Sequence, residues 1–425
     1  MKRSEPSEGV CDERSIGAHK NRSVKKALSS LKIVEVGEMV SAPYAAKLMA
    51  DMGAEVIKVE RPGSGDKART RGPFPGHSPH PEKSGLFLYL NANKYGVTLD
   101  ITKPDGMQLL ERMVEQADVL IHNVWPPEMN RVSLSYERMR LVNPRLVMTS
   151  ITPFGMTGPN RNWRAEELTV WSAGGVCMLN GAGPDHPELP PLKTFGSQAG
   201  FQGGVHGAVA TMGAVIAQLR DGEGQHVDVS VQESIVSQLE LTFEYWPYMG
   251  LIATRLGRKP IQPVESMQCK DGWIYVCCIE EHQWRAFVDV MGNPEWASEP
   301  IFADRVKRGE NWEALKLFLE DYCSQHTVLE LYKKVQEKRV PFAPVSTMGD
   351  LLNSEHLKAR GFFVEIPHPV AGTRTYPGAP LKYDVTPWEI RMPAPTLGQH
   401  NEQIFGGRLG LDATRLAELK RTGVI

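Results

Sequence analysis

At 425 residues the chain is long enough for more than one core, because single cores stop growing near about 250 to 300 residues. The formal net charge of -2 and 41% hydrophobic content give no basic excess that would favour nucleic acid or a membrane surface, and no apolar run is long enough to span a bilayer. Six cysteines (Cys11, Cys177, Cys269, Cys277, Cys278, Cys323) without CxxC spacing indicate neither a zinc site nor a disulfide framework, so no metal is expected and a cytoplasmic setting fits.

The first residues mix both charges and lack an apolar h-region, so residues 1–29 read as a flexible tail rather than a secretory or transit signal. The run L-K-I-V-E-V-G (31–37) predicts a strand. A helix follows over A-P-Y-A-A-K-L-M-A-D-M-G, with Pro43 at its first position and Gly53 past its end, and E-V-I-K-V-E-R returns as a strand. Strand, helix, strand within about thirty residues is a βαβ unit, which implies a parallel sheet. The pattern repeats with a strand at Val97–Asp100, a helix from Pro104 carrying Met107, Leu110 and Met113 on one face, and V-L-I-H-N as a strand. Ser135 caps a further helix, and Arg145–Ile151 is a strand entering a loop at Pro153. A doubly wound α/β sheet is therefore expected. Its ligand turns are the carboxyl ends of the strands, at Gly37–Ser41, Arg61–Asp66, Asn123–Pro127 and Thr152–Gly158.

The loop Pro153–Pro159 cannot continue a strand, whereas Ala165–Ala173 can form two helical turns that open on Glu166 and Glu167. A carboxylate there meets unpaired N–H groups and the positive end of the helix dipole, an arrangement that also serves simply to stabilise the helix. Residues 200–220 form a helix crowded with glycine and alanine, which gains little from propensity and must be held by packing inside the molecule or at a subunit contact. After the D-G-E-G-Q turn, H-V-D-V-S-V opens a second unit of strand and helices, giving a large domain over 30–224, a smaller α+β domain over 225–345, and a Pro/Gly-rich segment over 346–425 that returns to the large domain.

No G-x-G-x-x-G follows the first strand and there is no P-loop or G-x-S-x-G elbow, so nucleotide redox, phosphoryl-transfer and serine-hydrolase readings lose their main support. Arg61 and Arg131 follow strand ends, where a guanidinium can pair with phosphate oxygens or remain a solvated surface charge. His122, His206 and His226 lack ligand spacing and read as structural.

Taken together, V-S-A-P-Y-A-A-K-L-M-A-D-M-G-A-E-V-I-K-V-E-R-P-G-S-G-D, N-A-N-K-Y-G-V-T-L-D, S-I-T-P-F-G-M-T-G-P, G-E-G-Q-H-V-D-V-S and T-L-G-Q-H-N-E resemble the class III CoA-transferase family, over residues 31 to 405. This family includes formyl-CoA:oxalate and carnitine CoA-transferases and the α-methylacyl-CoA racemases. The resemblance implies a Rossmann-like large domain with a smaller domain in an interlocked homodimer, acyl-CoA and a small carboxylic acid as substrates, and no bound cofactor. It places CoA contacts on Val40, Ser41, Arg61, Leu99, Asn123, Val124 and Trp125, with Arg131 near the adenosine phosphate. The family's nucleophilic aspartate lies eight positions before a glycine, and that offset from Gly175 falls on Glu167, which keeps the carboxylate but moves it by about 1.5 Å. At the racemase branch's acid/base positions stand Glu166 and Ser197; serine takes no α-proton without a base beside it, so racemisation is disfavoured. A racemase or isomerase and a non-catalytic CoA-binding homologue stand as alternatives to CoA transfer.

Overall fold

The computed structural model describes residues 26–184, 186–257 and 261–425. Six parallel strands form the main sheet: β1 (Lys32–Val36), β2 (Glu55–Glu60), β3 (Lys94–Thr98), β4 (Val119–His122), β5 (Val147–Thr152) and β6 (His226–Ser230). Their order is β3-β2-β1-β4-β5-β6, so the chain winds outward in one direction from β1 and in the other from β4. β1 and β4 are neighbours whose following connections diverge, which opens a crevice at their carboxyl ends.

The connecting helices follow the apolar spacing. Helix α1 (Ser41–Asp51) and α2 (Gly85–Asn91) serve the first half, and α3 (Pro104–Val114) buries Met107, Leu110 and Met113 against the sheet. Next come α4 (Pro126–Val132) and α5 (Tyr136–Val142), where the Ser135 hydroxyl accepts from Arg138 N–H. Then follow α6 (Glu167–Ala173) and the 24-residue α7 (Gln198–Asp221). One core cluster joins the α3 and α5 side of the sheet, and a second joins the α1, α6 and α7 side.

Several boundaries differ from the sequence reading. Pro43 is the third residue of α1, which the first turn tolerates because its N–H groups have no intrahelical acceptor. β3 starts at Lys94, three residues earlier than expected, where it pairs with Val56 of β2. Helix α6 starts at Glu167, and Glu166 caps it, with Thr169 Oγ1 accepting from Glu166 N–H at 2.7 Å. β6, expected to open the smaller domain, pairs in parallel with β5, so the main sheet continues past residue 224. The following helix α8 (Val231–Val236) also buries Val231 and Ile235 in the α7-side core. The expected tail lies outside the described residues up to 25, but its last part is held. Leu28 N–H donates to Met52 O at 3.0 Å, and Lys26 pairs with Glu389 at 2.7 Å.

Beyond α9 (Glu240–Met249), the antiparallel sheet of β7 (Val264–Gln268), β8 (Trp273–Cys277) and β9 (Ala343–Pro344) has its own core. Trp284, Phe287, Leu315, Leu319, Leu331 and Val335 fill it. The C-terminal residues then pack Ile404, Phe405, Leu419 and Val424 into the first core. Asn93, in the left-handed region at φ 65°, holds this returning strand of chain by accepting from the N–H groups of Arg391 and Met392.

His122, the last residue of β4, is fully buried and shares the Ser150 hydroxyl with His226, at 2.7 and 2.8 Å. Burial, with a smaller contribution from His226, holds the His122 imidazole down at about 3. The unfolded imidazole titrates near 6.5, so below that pH the unfolded chain binds the extra proton and stability is lost as pH falls from 6.5 towards 3. Denaturant titrations should show the wild type losing about 2 kcal/mol more than His122→Gln between pH 7 and pH 5. Parallel curves for the two proteins would contradict a neutral buried imidazole.

Candidate active site

The crevice between β1 and β4 is built by two loops that one side chain ties together. Asn123, just after β4, accepts from Glu38 N–H at 3.0 Å and donates to Glu38 O at 2.7 Å and Ser41 Oγ at 3.0 Å. Met39 in the facing loop has φ 62°, a conformation that costs roughly 1 to 2 kcal/mol outside glycine. Its N–H is received by Asp66 Oδ1 at 2.8 Å.

Asp66 is itself fixed from beneath. Its Oδ2 lies 2.9 Å from Lys58 Nζ, and its Oδ1 also accepts from Ala68 N–H at 2.7 Å. Lys58 and Lys94 both pair with Glu35, at 2.9 and 2.7 Å, while Arg69 grips Glu60 through two bonds of 2.7 and 2.8 Å. Every one of these side chains is buried. Burial pulls the Lys58 ammonium down, but Asp66, Glu35 and Glu60 outweigh it and hold the group above its ordinary value. Lys94, with one carboxylate neighbour and the Lys58 charge nearby, is brought down by burial to about 8. This lattice sets the height of the two loops that follow β1 and β2, 37–41 and 61–69.

On the opposite wall, the Glu167 carboxylate at the start of α6 reaches the N-terminus of α7. Oε1 accepts from Ala199 N–H at 2.9 Å and Oε2 from Gly200 N–H at 3.1 Å. Lys193 Nζ stands 3.4 Å from Oε1, and the Glu167 side chain is 25% exposed. Every one of these contacts offers a donor to an acceptor, the pattern a carboxylate anion takes up. The sequence reading placed Glu167 at its own helix terminus and found the glycine-rich helix that is α7, but missed that α7 meets Glu167 and that Lys193 stands beside it; the only local signal was K-T-F-G-S-Q-A-G running into that helix.

The glycines of α7 explain how its N-terminus reaches this position. A methyl group on Gly200 would lie 2.9 Å from Val40 Cβ, one on Gly204 2.8 Å from the Ser41 carbonyl oxygen, and one on Gly207 2.4 Å from Ile151. Bare backbone on that face lets α7 lie directly on the start of α1 and the end of β5. The crowding predicted from composition is therefore a contact surface inside the subunit.

Between the walls lies a cleft of about 900 Å³. Val40, Ser41, Arg61, Leu99, Asn123, Val124, Trp125, Arg131 and Glu167 all line it, as does Ser197. Val40 and Leu99 are buried and form floor, and Asn123 has its side chain engaged by the facing loop. Arg61 and Arg131 are exposed at the rim, paired with Glu38 and Glu128, and Arg164 stacks 4.3 Å over the Trp125 ring. Arg164 and Lys67, which pairs with Glu38 at 2.9 Å, are cleft cations the sequence reading did not select.

The cleft thus lies at the strand ends, with a rim of arginines and a carboxylate held on N–H donors in its wall. The profile of CoA-transferase family III matches residues 28–401. The chain belongs to this family. It is 30% identical over 361 residues to acetyl-CoA:oxalate CoA-transferase of Acetobacter aceti, covering 84% of this chain and 89% of that protein. It is 28% identical to succinyl-CoA--D-citramalate CoA-transferase of Chloroflexus aurantiacus, over 94% and 98% of the two chains. Among solved structures, a CAIB/BAIF family protein from Brucella suis superposes with a TM-score of 0.80 at 28% identity, over 90% of this chain and 99% of the other.

The α7 packing makes a contrast between two glycines. Gly204→Ala should lower stability by about 1 to 3 kcal/mol, because the Ser41 backbone cannot give way. Gly213→Ala, whose methyl group would meet no atom of its own subunit within 4 Å, should cost distinctly less than Gly204→Ala. Thermal melts of both variants would check the pair; equal losses would contradict the close approach.

Proposed function

We propose that this enzyme moves CoA from an acyl-CoA thioester to a carboxylic acid through covalent intermediates on Glu167. The carrying observation is the Glu167 carboxylate, fixed by two backbone N–H groups on the wall of the cleft. A carboxylate so oriented attacks the thioester carbonyl, forming a mixed anhydride and releasing CoA thiolate. The thiolate then attacks the glutamyl carbonyl, giving glutamyl-CoA and the donor's free acid, which carries away one Glu167 oxygen. An acceptor carboxylate attacks glutamyl-CoA, and the released thiolate closes the cycle on the acceptor's carbonyl. Anhydride and thioester are close in reactivity, so no external energy source is required. The Ala199 and Gly200 N–H groups are suitably placed to stabilise the oxyanions formed at the glutamyl carbon.

In this reading CoA is a substrate, with its phosphates at Arg61 and Arg131, which exchange Glu38 and Glu128 for phosphate oxygens. Trp125 and the backbone of Asn123 and Val124 lie alongside, and Val40, Ser41 and Leu99 line the floor. The racemase alternative has less support, because Ser197 rather than a carboxylate lines the cleft at the second acid/base position.

We also propose that the working form is an interlocked homodimer in the cytoplasm. α9 buries none of its residues yet carries Leu241, Phe243, Trp246, Tyr248 and Met249, and α7 exposes Val209, Ile216 and Leu219. Apolar surface of that extent calls for a partner, and a second copy of the chain meets the need. Sedimentation equilibrium should return twice the mass of one chain.

Glu167→Gln keeps the shape but removes the nucleophile, and transfer activity should fall by at least about 1,000-fold. Wild type incubated with acyl-CoA and then hydroxylamine or borohydride should carry a modification confined to Glu167 by mass spectrometry. An unmodified Glu167 in a preparation that still transfers CoA would refute the nucleophile.

A further inference from the structure

Lys193 lies on the segment that leads into α7, with its side chain only 16% exposed. An ammonium has three N–H donors. Two are met by the carbonyl oxygens of Thr194, at 2.5 Å, and Gly196. The remaining neighbour is Glu167 Oε1 at 3.4 Å, and among the described residues Lys193 is the only cation paired with Glu167.

This pair differs from the others at the cleft. Arg61, Lys67 and Arg131 are matched by Glu38 and Glu128, whose charges do not change during CoA transfer. The partner of Lys193 does change. When Glu167 becomes glutamyl-CoA its negative charge is gone, and a partly buried ammonium is left with two neutral carbonyls for company. An uncompensated charge in that setting is unfavourable and draws in an anion.

We propose that Lys193 is the acceptor-recruiting residue: it is masked by Glu167 in the resting enzyme and unmasked by acylation, so that it captures the incoming carboxylate beside the glutamyl carbonyl carbon. The inference rests on the Glu167 reading above. In the step concerned, one oxygen of the acceptor carboxylate forms a bond to the glutamyl carbon, the carbon–sulfur bond breaks, and CoA leaves as the thiolate. The ammonium holds the acceptor's other oxygen and keeps its proton throughout. Once the thiolate has attacked the acceptor's carbonyl, the Glu167 carboxylate is regenerated and covers Lys193 again. The cation therefore favours an incoming carboxylate only while Glu167 is acylated, which imposes order on the two halves of the reaction. It also accounts for a class of acceptor, small carboxylate anions, without requiring a dedicated arginine.

The test separates the half-reactions. In Lys193→Met, the KM for the acceptor acid should rise about tenfold or more, the loss expected when one charge-assisted contact to a carboxylate is removed. The KM for the acyl-CoA donor should stay within about twofold, and hydroxylamine trapping at Glu167 should persist. Lys193→Arg, which keeps the charge, should recover most of the acceptor KM. An unchanged acceptor KM in Lys193→Met with Glu167 still trapped would overturn the role of Lys193 alone. Equal changes in both KM values, unrelieved by Lys193→Arg, would assign the residue a purely structural part and overturn it as well. Failure to trap Glu167 in active wild type would instead bring down the underlying nucleophile.

Discussion

The meeting of the Glu167 carboxylate with the N-terminus of α7 is the contact around which the rest of the subunit is arranged. Two residues from separate helices, thirty-odd positions apart in the chain, must arrive within about 3 Å of each other. α7 reaches that point only because Gly200, Gly204 and Gly207 carry no side chain against Val40, Ser41 and Ile151. Low intrinsic helix stability is the cost, offset by packing along a 24-residue element. The same carboxylate both satisfies the open end of that helix and lines the cleft.

The facing wall is governed by a different force. The lattice of Glu35, Lys58, Lys94, Asp66, Glu60 and Arg69 lies beneath the loops that follow β1 and β2. Buried ion pairs of this sort give little net stability compared with apolar packing, but removing one partner is expensive. What they supply here is position. Asp66 receives the N–H of Met39 in a backbone conformation that would otherwise relax, and Asn123 ties that loop to the next one. Loops held in this way present a fixed rim, which suits binding of a long ligand with little reorganisation.

Most of the architecture was legible from the chain itself because its signals are local. Alternation of strand and helix, Ser135 as a cap, Pro104 at a helix start and the apolar face of α3 each depend on residues within a few positions of one another. Glu167 was legible for the same reason, as an acidic residue at the head of a short helix after a turn-rich loop. β6 was misassigned because a strand looks alike whichever sheet receives it. Its place beside β5 is decided by the crossover of α7, and α7 is placed by contacts with α1 and β5 far away in sequence.

The sequence by itself determined the doubly wound plan, the strand-end turns, the family and the carboxylate at position 167. Tertiary structure alone decided that this carboxylate lies on another helix's N–H groups with Lys193 beside it, and that Asn123 braces a loop rather than standing free. It also decided that Glu38 and Glu128 occupy the rim arginines. The reason is range: hydrophobic period and capping chemistry act over a few residues. Hydrogen bonds and ion pairs between distant segments exist only once packing has brought those segments within a few ångströms.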